Sequence, residues 1–285
     1  MSHIQTNTIH QPEQTFWYSA HIQYNTHMSL FSNKWKLAIK VVPIVTFIII
    51  LKLLAHKLGW EILTLNSLFG AIVSANVFLV GFLISGVLVD YKEAEKIPGE
   101  LACSLEALTD ECYIVYKNKK SIVAQNMLDY IHKLTNSILG WFHKKEKTET
   151  LLQNITGLND HFLALEPLTQ ANFIVRLKNE QQTIRRLITR IHSIRETSFN
   201  PAGYAIAEII SAILCLGLVF TKIDPYYESI FFVAFVSFIL IYMVLLIRDL
   251  DNPFGYYEKE KYADEVSLKP LFDLEKRILL SLHQR

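Results

Sequence analysis

Four sets of residues in this chain have types and spacings that could bind or move charge. Asn76 stands near the centre of an apolar run over residues 67–89, and Glu208 is the one acidic residue in a second run over residues 201–220. A polar side chain inside hydrocarbon is costly and turns toward protein or water. Asn76 is therefore either a hydrogen-bonding contact between helices or a polar ring on an aqueous path. Glu208 is either the salt-bridge partner of a basic residue in the segment before it or a titrating, pore-facing group. Arg185, Arg186, Arg190 and Arg195 gather just ahead of the second run. They form either a basic rim at the lipid headgroups or a positive vestibule that draws in anions. Glu258, Glu260, Asp264 and Glu265 could hold a hard cation such as Ca2+ if folded back on one another, but the interleaved Lys259 and Lys261 favour a solvated tail.

Nothing in the chain points to catalysis. It has no Gly-rich phosphate loop, no nucleophile elbow, no helical His pair around a Glu and no cysteine pair at metal spacing. His3, His10, His21 and His27 are 7, 11 and 6 positions apart, which puts no two on one helical turn, so no metal and no cofactor is expected. Cys103, Cys112 and Cys215 are too few and too scattered for a disulfide framework and read as reduced packing residues.

The elements that must position these residues are long and apolar. Hydrophobic residues make up 51% of the chain and charged ones 19%, with a mean hydropathy of +0.23, and the apolar residues are gathered into runs. That is the pattern of an integral membrane protein. Residues 37–54, 67–89, 201–220 and 229–247 each approach the ~20 residues that cross hydrocarbon. Lys40 and Lys52 sit near the ends of the first run, where their side chains snorkel to the headgroups, and Trp35 and Trp60 bracket it. The short link over residues 55–66 predicts a helical hairpin of the first two crossings.

Residues 90–200 read as an all-α bundle. Ile122, Val123, Met127, Ile131, Leu134, Ile138 and Leu139 repeat at three and four, the signature of one helix face. Pro167 opens a second long helix through Phe173, Ile174, Leu177, Ile184, Leu187 and Ile191. Pro98-Gly99 predicts a bend beyond the membrane, residues 118–120 a turn, residues 144–150 a loop, and residues 268–282 an amphipathic helix. Lys34, Lys36, Lys40, Lys92, Lys96, Arg190, Arg195 and Arg248 fall on one side of the membrane against Lys52, Lys57 and Lys222 on the other. The positive-inside rule then puts both termini and the bundle in the cytoplasm.

Wound at ~100° per residue, the second crossing has two stripes. Asn76 shares one with Phe69, Val73, Val80 and Val87, with Asn66 and Leu83 at its margins. This stripe could line a path with one polar ring between apolar rings, a constriction of the kind that gates by dewetting. Gly70, Ser74, Val77, Gly81 and Ser85 form the other, small enough to let a helix or subunit approach closely.

After the fourth run, Asp251-Asn252-Pro253-Phe254-Gly255 stops the helix in a turn with an aromatic anchor. This turn, the acidic stretch and Leu268-Lys269-Pro270-Leu271 resemble the region after the last membrane helix of bestrophins. The small-residue second helix running into Asp90-Tyr91-Lys92-Glu93-Ala94 is similar to the bacterial bestrophin-like family, and the likeness covers residues 66–278. It implies a homopentameric channel, mostly for anions, with the second helix lining the pore and a neck at Phe69, Val73, Asn76 and Val80. Two features depart from the family: bestrophin necks are large and apolar where Asn76 is polar, and Tyr256, Tyr257, Lys259 and Lys261 dilute the acidic run that clasps Ca2+ in animal bestrophins.

The expected molecule is an all-α integral membrane protein with four transmembrane helices and a cytoplasmic helical-bundle insert between the second and third. Its parts are an N-terminal arm, partly disordered (1–36), a hairpin (37–90), the helical domain (91–200), a second hairpin (201–248) and a tail (249–285). Its expected function is that of a bestrophin-like ion channel of the inner membrane, anion-conducting, with Asn66, Phe69, Val73, Asn76, Val80, Leu83 and Val87 lining the pore. Its expected partners are further copies of itself, as a pentamer, the bilayer and permeant ions, with no nucleic acid. The alternative is a non-conducting scaffold or sensor whose helical domain binds a partner.

Overall fold

The computed structural model describes residues 13–197, 201–255 and 265–283. His3, His10, Glu258, Glu260 and Asp264 lie outside them, as do the side chains of His21 and His27. The apolar runs become four helices long and apolar enough to cross a membrane: α1 (Glu13–Lys57), apolar from Trp35, α2 (Ser67–Lys119), α6 (Pro201–Phe220) and α7 (Tyr226–Leu250). The chain is thus built to be embedded in a membrane. α1 begins well inside the segment expected to be a partly disordered arm.

α1 and α2 are not each other's main packing partners; each lies against α6 and α7. A two-residue parallel pairing of β1 (Leu63–Thr64) with β2 (Thr221–Lys222) ties the link after α1 to the end of α6. The short link suggested a simple hairpin, but this pairing draws the chain across α6 before α2 starts.

α2 is the longest element, at 53 residues. Asn66 caps it, its side chain accepting a 2.8 Å bond from the Phe69 amide. Lys120, at φ 49°, ends it in the left-handed region. Pro98, where the sequence suggested a bend, lies inside the continuous helix and does not end it. It lacks the N–H that would bond the Ala94 carbonyl, yet both residues are buried in the bundle, and packing overrides the local preference.

The far half of α2 packs with α3 (Ile122–Phe142), α4 (Thr148–Leu165), a 3-10 turn (Glu166–Leu168), α5 (Ala171–Glu196) and the C-terminal α8 (Lys269–His283). Leu105, Ile131, Ile155, Ile184 and Leu271, one from each helix, are fully buried in one core. α4 was legible but unread: Leu151, Ile155, Leu158, Phe162 and Leu165 are a buried stripe at helical spacing. Pro167 belongs to the 3-10 turn, and the next helix starts at Ala171. α5 runs antiparallel along α2, with Arg190 paired to Glu93 and Arg176 to Glu111.

Candidate functional site

The two stripes of α2 meet different surroundings. Asn76, Val80, Leu83 and Val87 are all buried. The Asn76 Nδ2 donates a 3.0 Å bond to Ser211 Oγ on α6, while its Oδ1 is buried without a partner. Val80, Leu83 and Val87 share a cluster with Ala207 of α6 and Ile247 and Leu250 of α7. Phe69 lies over Gly217 of α6, where a Cβ would meet the ring at 3.1 Å, and Val73 packs into the cluster around Leu214 and Leu218. The residues read as a conducting stripe therefore point into the chain, except Asn66, which is the exposed cap.

Gly70, Ser74, Val77, Gly81 and Ser85 are exposed, and a Cβ at Gly70 or Gly81 would meet nothing within 4 Å. Opposite Asn76, this open side carries Phe78 and Phe82, which are 78% and 68% exposed. One further along the same line come Val89, Lys92 and Lys96, all exposed. Phe78 and Phe82 were not singled out in the sequence, although two large aromatics one turn apart on a third stripe were a signal for them. The open faces of α1 and α7 differ in kind. Exposed Val42, Phe47 and Ile50 on α1, or Phe231, Phe232 and Phe235 on α7, suit lipid, whereas α2 interleaves its aromatics with Gly and Ser.

Glu208 accepts a 2.7 Å bond from Arg248 Nε, so its cation comes from the end of α7 and not from the bundle. Arg190 grips Glu93 through both Nε and Nη2, at 3.1 and 2.9 Å. These bonds, ahead of the charges themselves, hold the Glu93 carboxyl below its ordinary range and push the guanidinium higher still. Arg185 donates to Thr156 Oγ1, and Arg195 lies over the Trp141 ring with its carbon 4.9 Å from the centroid. Arg186 is exposed and, among the described residues, makes no bond or ion pair. These arginines are thus placed along one helix but are not equally free.

The turn after α7 is an anchor. Phe254 is fully buried, its ring 5.9 Å from that of Phe142. The Pro253 carbonyl accepts a 3.0 Å bond from Val266, and Asp251 accepts a 2.7 Å bond from Tyr204. Asn252 Oδ1 is buried without a partner, and Gly255 is buried beside it.

At the other end of the membrane helices lies a charged cluster that the sequence did not disclose. Lys52 is fully buried and does not snorkel. Its Nζ donates to Glu61 Oε1 at 2.6 Å and to the Thr221 carbonyl at 2.5 Å. His56 Nδ1 is 2.9 Å from the other Glu61 oxygen, and its ring stacks on Tyr226 at 3.9 Å. Burial works to raise the Glu61 carboxyl, but the bonds and charges of Lys52 and His56 outweigh it and leave the group below its ordinary value of 4.5. The buried ammonium is met by two acceptors, the Glu61 carboxylate and the Thr221 carbonyl, which offset the cost of taking a charge out of water. Among the described residues no group of His, Cys, Asp and Glu is arranged to hold a metal.

No protein-family model and no curated protein matches this sequence. Solved structures do. A point variant of a bacterial bestrophin homologue from Klebsiella pneumoniae superposes with a TM-score of 0.68 at 16% identity, over 89% of this chain and 99% of that one. Another crystal structure of that homologue gives 0.69 at 16% identity, over 88% and 98%. A point variant of a protein described only as a membrane protein gives 0.69 at 14% identity, also over 88% and 98%. The chain has the bestrophin fold, as the Asn252-Pro253-Phe254-Gly255 turn and the second helix led us to expect.

Proposed function

We propose that this protein is a homo-oligomeric, bestrophin-like ion channel whose α2 helices surround a shared axis. The observation that carries the reading is the asymmetry of α2: its Asn76 side is filled by α6 and α7, and its open side presents two phenylalanines above two lysines. One four-helix subunit has no room for a water-filled path, whereas a ring of copies creates one on the axis. The pore-lining residues are then Ser74, Phe78, Phe82, Ser85 and Val89 in place of the Asn76 stripe, and the neck is the pair of phenylalanine rings. Such apolar constrictions gate by dewetting. Lys92 and Lys96 continue the line beyond the membrane and favour anions at that mouth. A pentamer in the inner membrane, with both termini and the bundle cytoplasmic, is the assembly this reading adopts from the fold and from the lysine and arginine distribution.

Planar-bilayer recording of the purified protein tests it. Unitary currents are expected, with a reversal potential in asymmetric salt that reports anion preference. Phe82→Ala, alone or with Phe78→Ala, is expected to raise conductance severalfold, and Asn76→Leu to leave it within about twofold. No currents at any polarity sinks the channel, and currents altered by Asn76→Leu but not by Phe82→Ala return the pore to the buried stripe.

A further inference from the structure

The outer face of α5 carries a shallow, open depression of about 440 Å³, called the groove below, lined by Gln182, Arg185, Arg186, Thr189, Arg190 and Ser193. Three guanidinium groups, the Ser193 hydroxyl and the Gln182 amide line it as donor groups, while the Thr189 hydroxyl donates its proton to the Arg185 carbonyl and can only accept. Among the described residues the one carboxylate that pairs with them is Glu93, already held by two bonds from Arg190. Arg185 keeps one bond to Thr156, and Arg186 has none. Guanidinium forks beside a hydroxyl donor match the geometry of phosphate oxygens, which accept two parallel N–H bonds.

Height supplies the second part of the case. Arg190 is level with Glu93 on α2, four residues past Val89, the last apolar residue of the crossing. At ~1.5 Å per residue that is ~6 Å beyond the hydrocarbon edge, and Arg186 is one turn further. The polar layer of a bilayer leaflet occupies the first ~5–8 Å outside the hydrocarbon. The groove is therefore level with lipid phosphates at Arg190, while the Arg186 backbone, ~11 Å out, lies at its water side, where a soluble phosphate as well as a headgroup can meet it.

We propose that this groove is a binding site for a phosphate group, supplied by the headgroup of an anionic phospholipid or by a soluble phosphate, with Arg186 as the principal free ligand. The assignment does not rest on ion conduction and holds for a non-conducting protein as well. Arg186 is the residue to change, since it makes no bond among the described residues, whereas Arg190 holds Glu93.

The test uses the full-length protein in detergent. Native mass spectrometry after equilibration with equal phosphatidylglycerol and phosphatidylcholine reads lipid retention. In parallel, the unfolding temperature is measured with inorganic phosphate against chloride at matched ionic strength. At least a fivefold preference for phosphatidylglycerol, reduced to near parity in Arg186→Gln and partly kept in Arg186→Lys, supports the site with lipid as the source. Stabilisation by phosphate that Arg186→Gln abolishes, without lipid preference, supports it with a soluble source. Retention blind to the headgroup together with no phosphate effect overturns the proposal, as does any preference that Arg186→Gln leaves intact. The unfolding temperature of each variant without ligand is the folding control.

Discussion

At the scale of single residues, Lys52 makes the sharpest prediction. Removing one partner of a buried ion pair strands the other, which costs about 3 kcal/mol or more. Lys52→Met is expected to lower the unfolding temperature in detergent clearly more than Lys57→Met, since Lys57 is exposed. The pair also sets a pH dependence. Glu61 titrates below 4.5 in the fold, so its contribution is complete above that value and is lost as pH falls through the lowered pKa. In Lys52→Met the largest lowering influence is gone, and the acid loss should begin nearer pH 4.5; a variant with the same acid midpoint as the parent contradicts the pairing. None of this was legible in the sequence, where a lysine near the end of an apolar run reads as snorkelling. The distinction depends on Thr221, 169 positions away, whose carbonyl accepts its bond. Asn76 was legible as a costly polar residue, and the bond to Ser211 shows it joining two helices.

At the scale of elements, the bundle depends on close approaches that periodicity does not reveal. Gly157 on α4 lies directly beneath the Tyr130 hydroxyl of α3, which donates a 2.7 Å bond to the Asn154 carbonyl. A Cβ at that position would displace the ring, so Gly157→Ala is expected to destabilise by about 1–2 kcal/mol despite the better helix propensity of alanine. An unchanged or raised unfolding temperature would show that the ring yields freely. α8 belongs to the same core: Leu274 is 1% exposed, and Arg277 binds both oxygens of Glu106 at 3.0 Å. Leu274→Ala is expected to cost about 2–4 kcal/mol and to expose the bundle to protease. The amphipathic tail helix, α3 and α5 could be read from their apolar spacing. What the spacing could not show is that the tail packs beside α2 and α3, because partner choice is a property of the folded chain.

At the scale of the whole molecule, the helical bundle carries a pH dependence set by its half-buried histidines. Burial holds the imidazoles of His132 and His161 below their ordinary 6.5, by more than the neighbouring Asp129 and Asp160 offset. Both therefore take up a proton less readily in the fold than in the unfolded chain, so as pH falls below 6.5 the unfolded chain gains protons that the fold resists. Their share of stability is present above 6.5 and is lost on acidification. Glu275, half-buried and raised by desolvation, works in the opposite sense. The comparison that isolates the histidines is the parent against His132→Asn with His161→Phe: between pH 7.5 and 5.5 the parent should lose more unfolding temperature than the double variant. Equal losses would mean that the imidazoles protonate freely in the fold.

α2 has a consequence for how such a molecule transmits force. At ~1.5 Å per residue its 53 residues form a shaft ~80 Å long, with no loop between its two halves to absorb a twist. One half is clamped by α3, α5 and α8, and the other carries Phe78 and Phe82. Because α6 and α7 grip the Asn76 side of the membrane half, torque applied to the bundle half reaches the aromatic rings only as a movement shared with those two helices. The bundle is the handle and the rings are the bit.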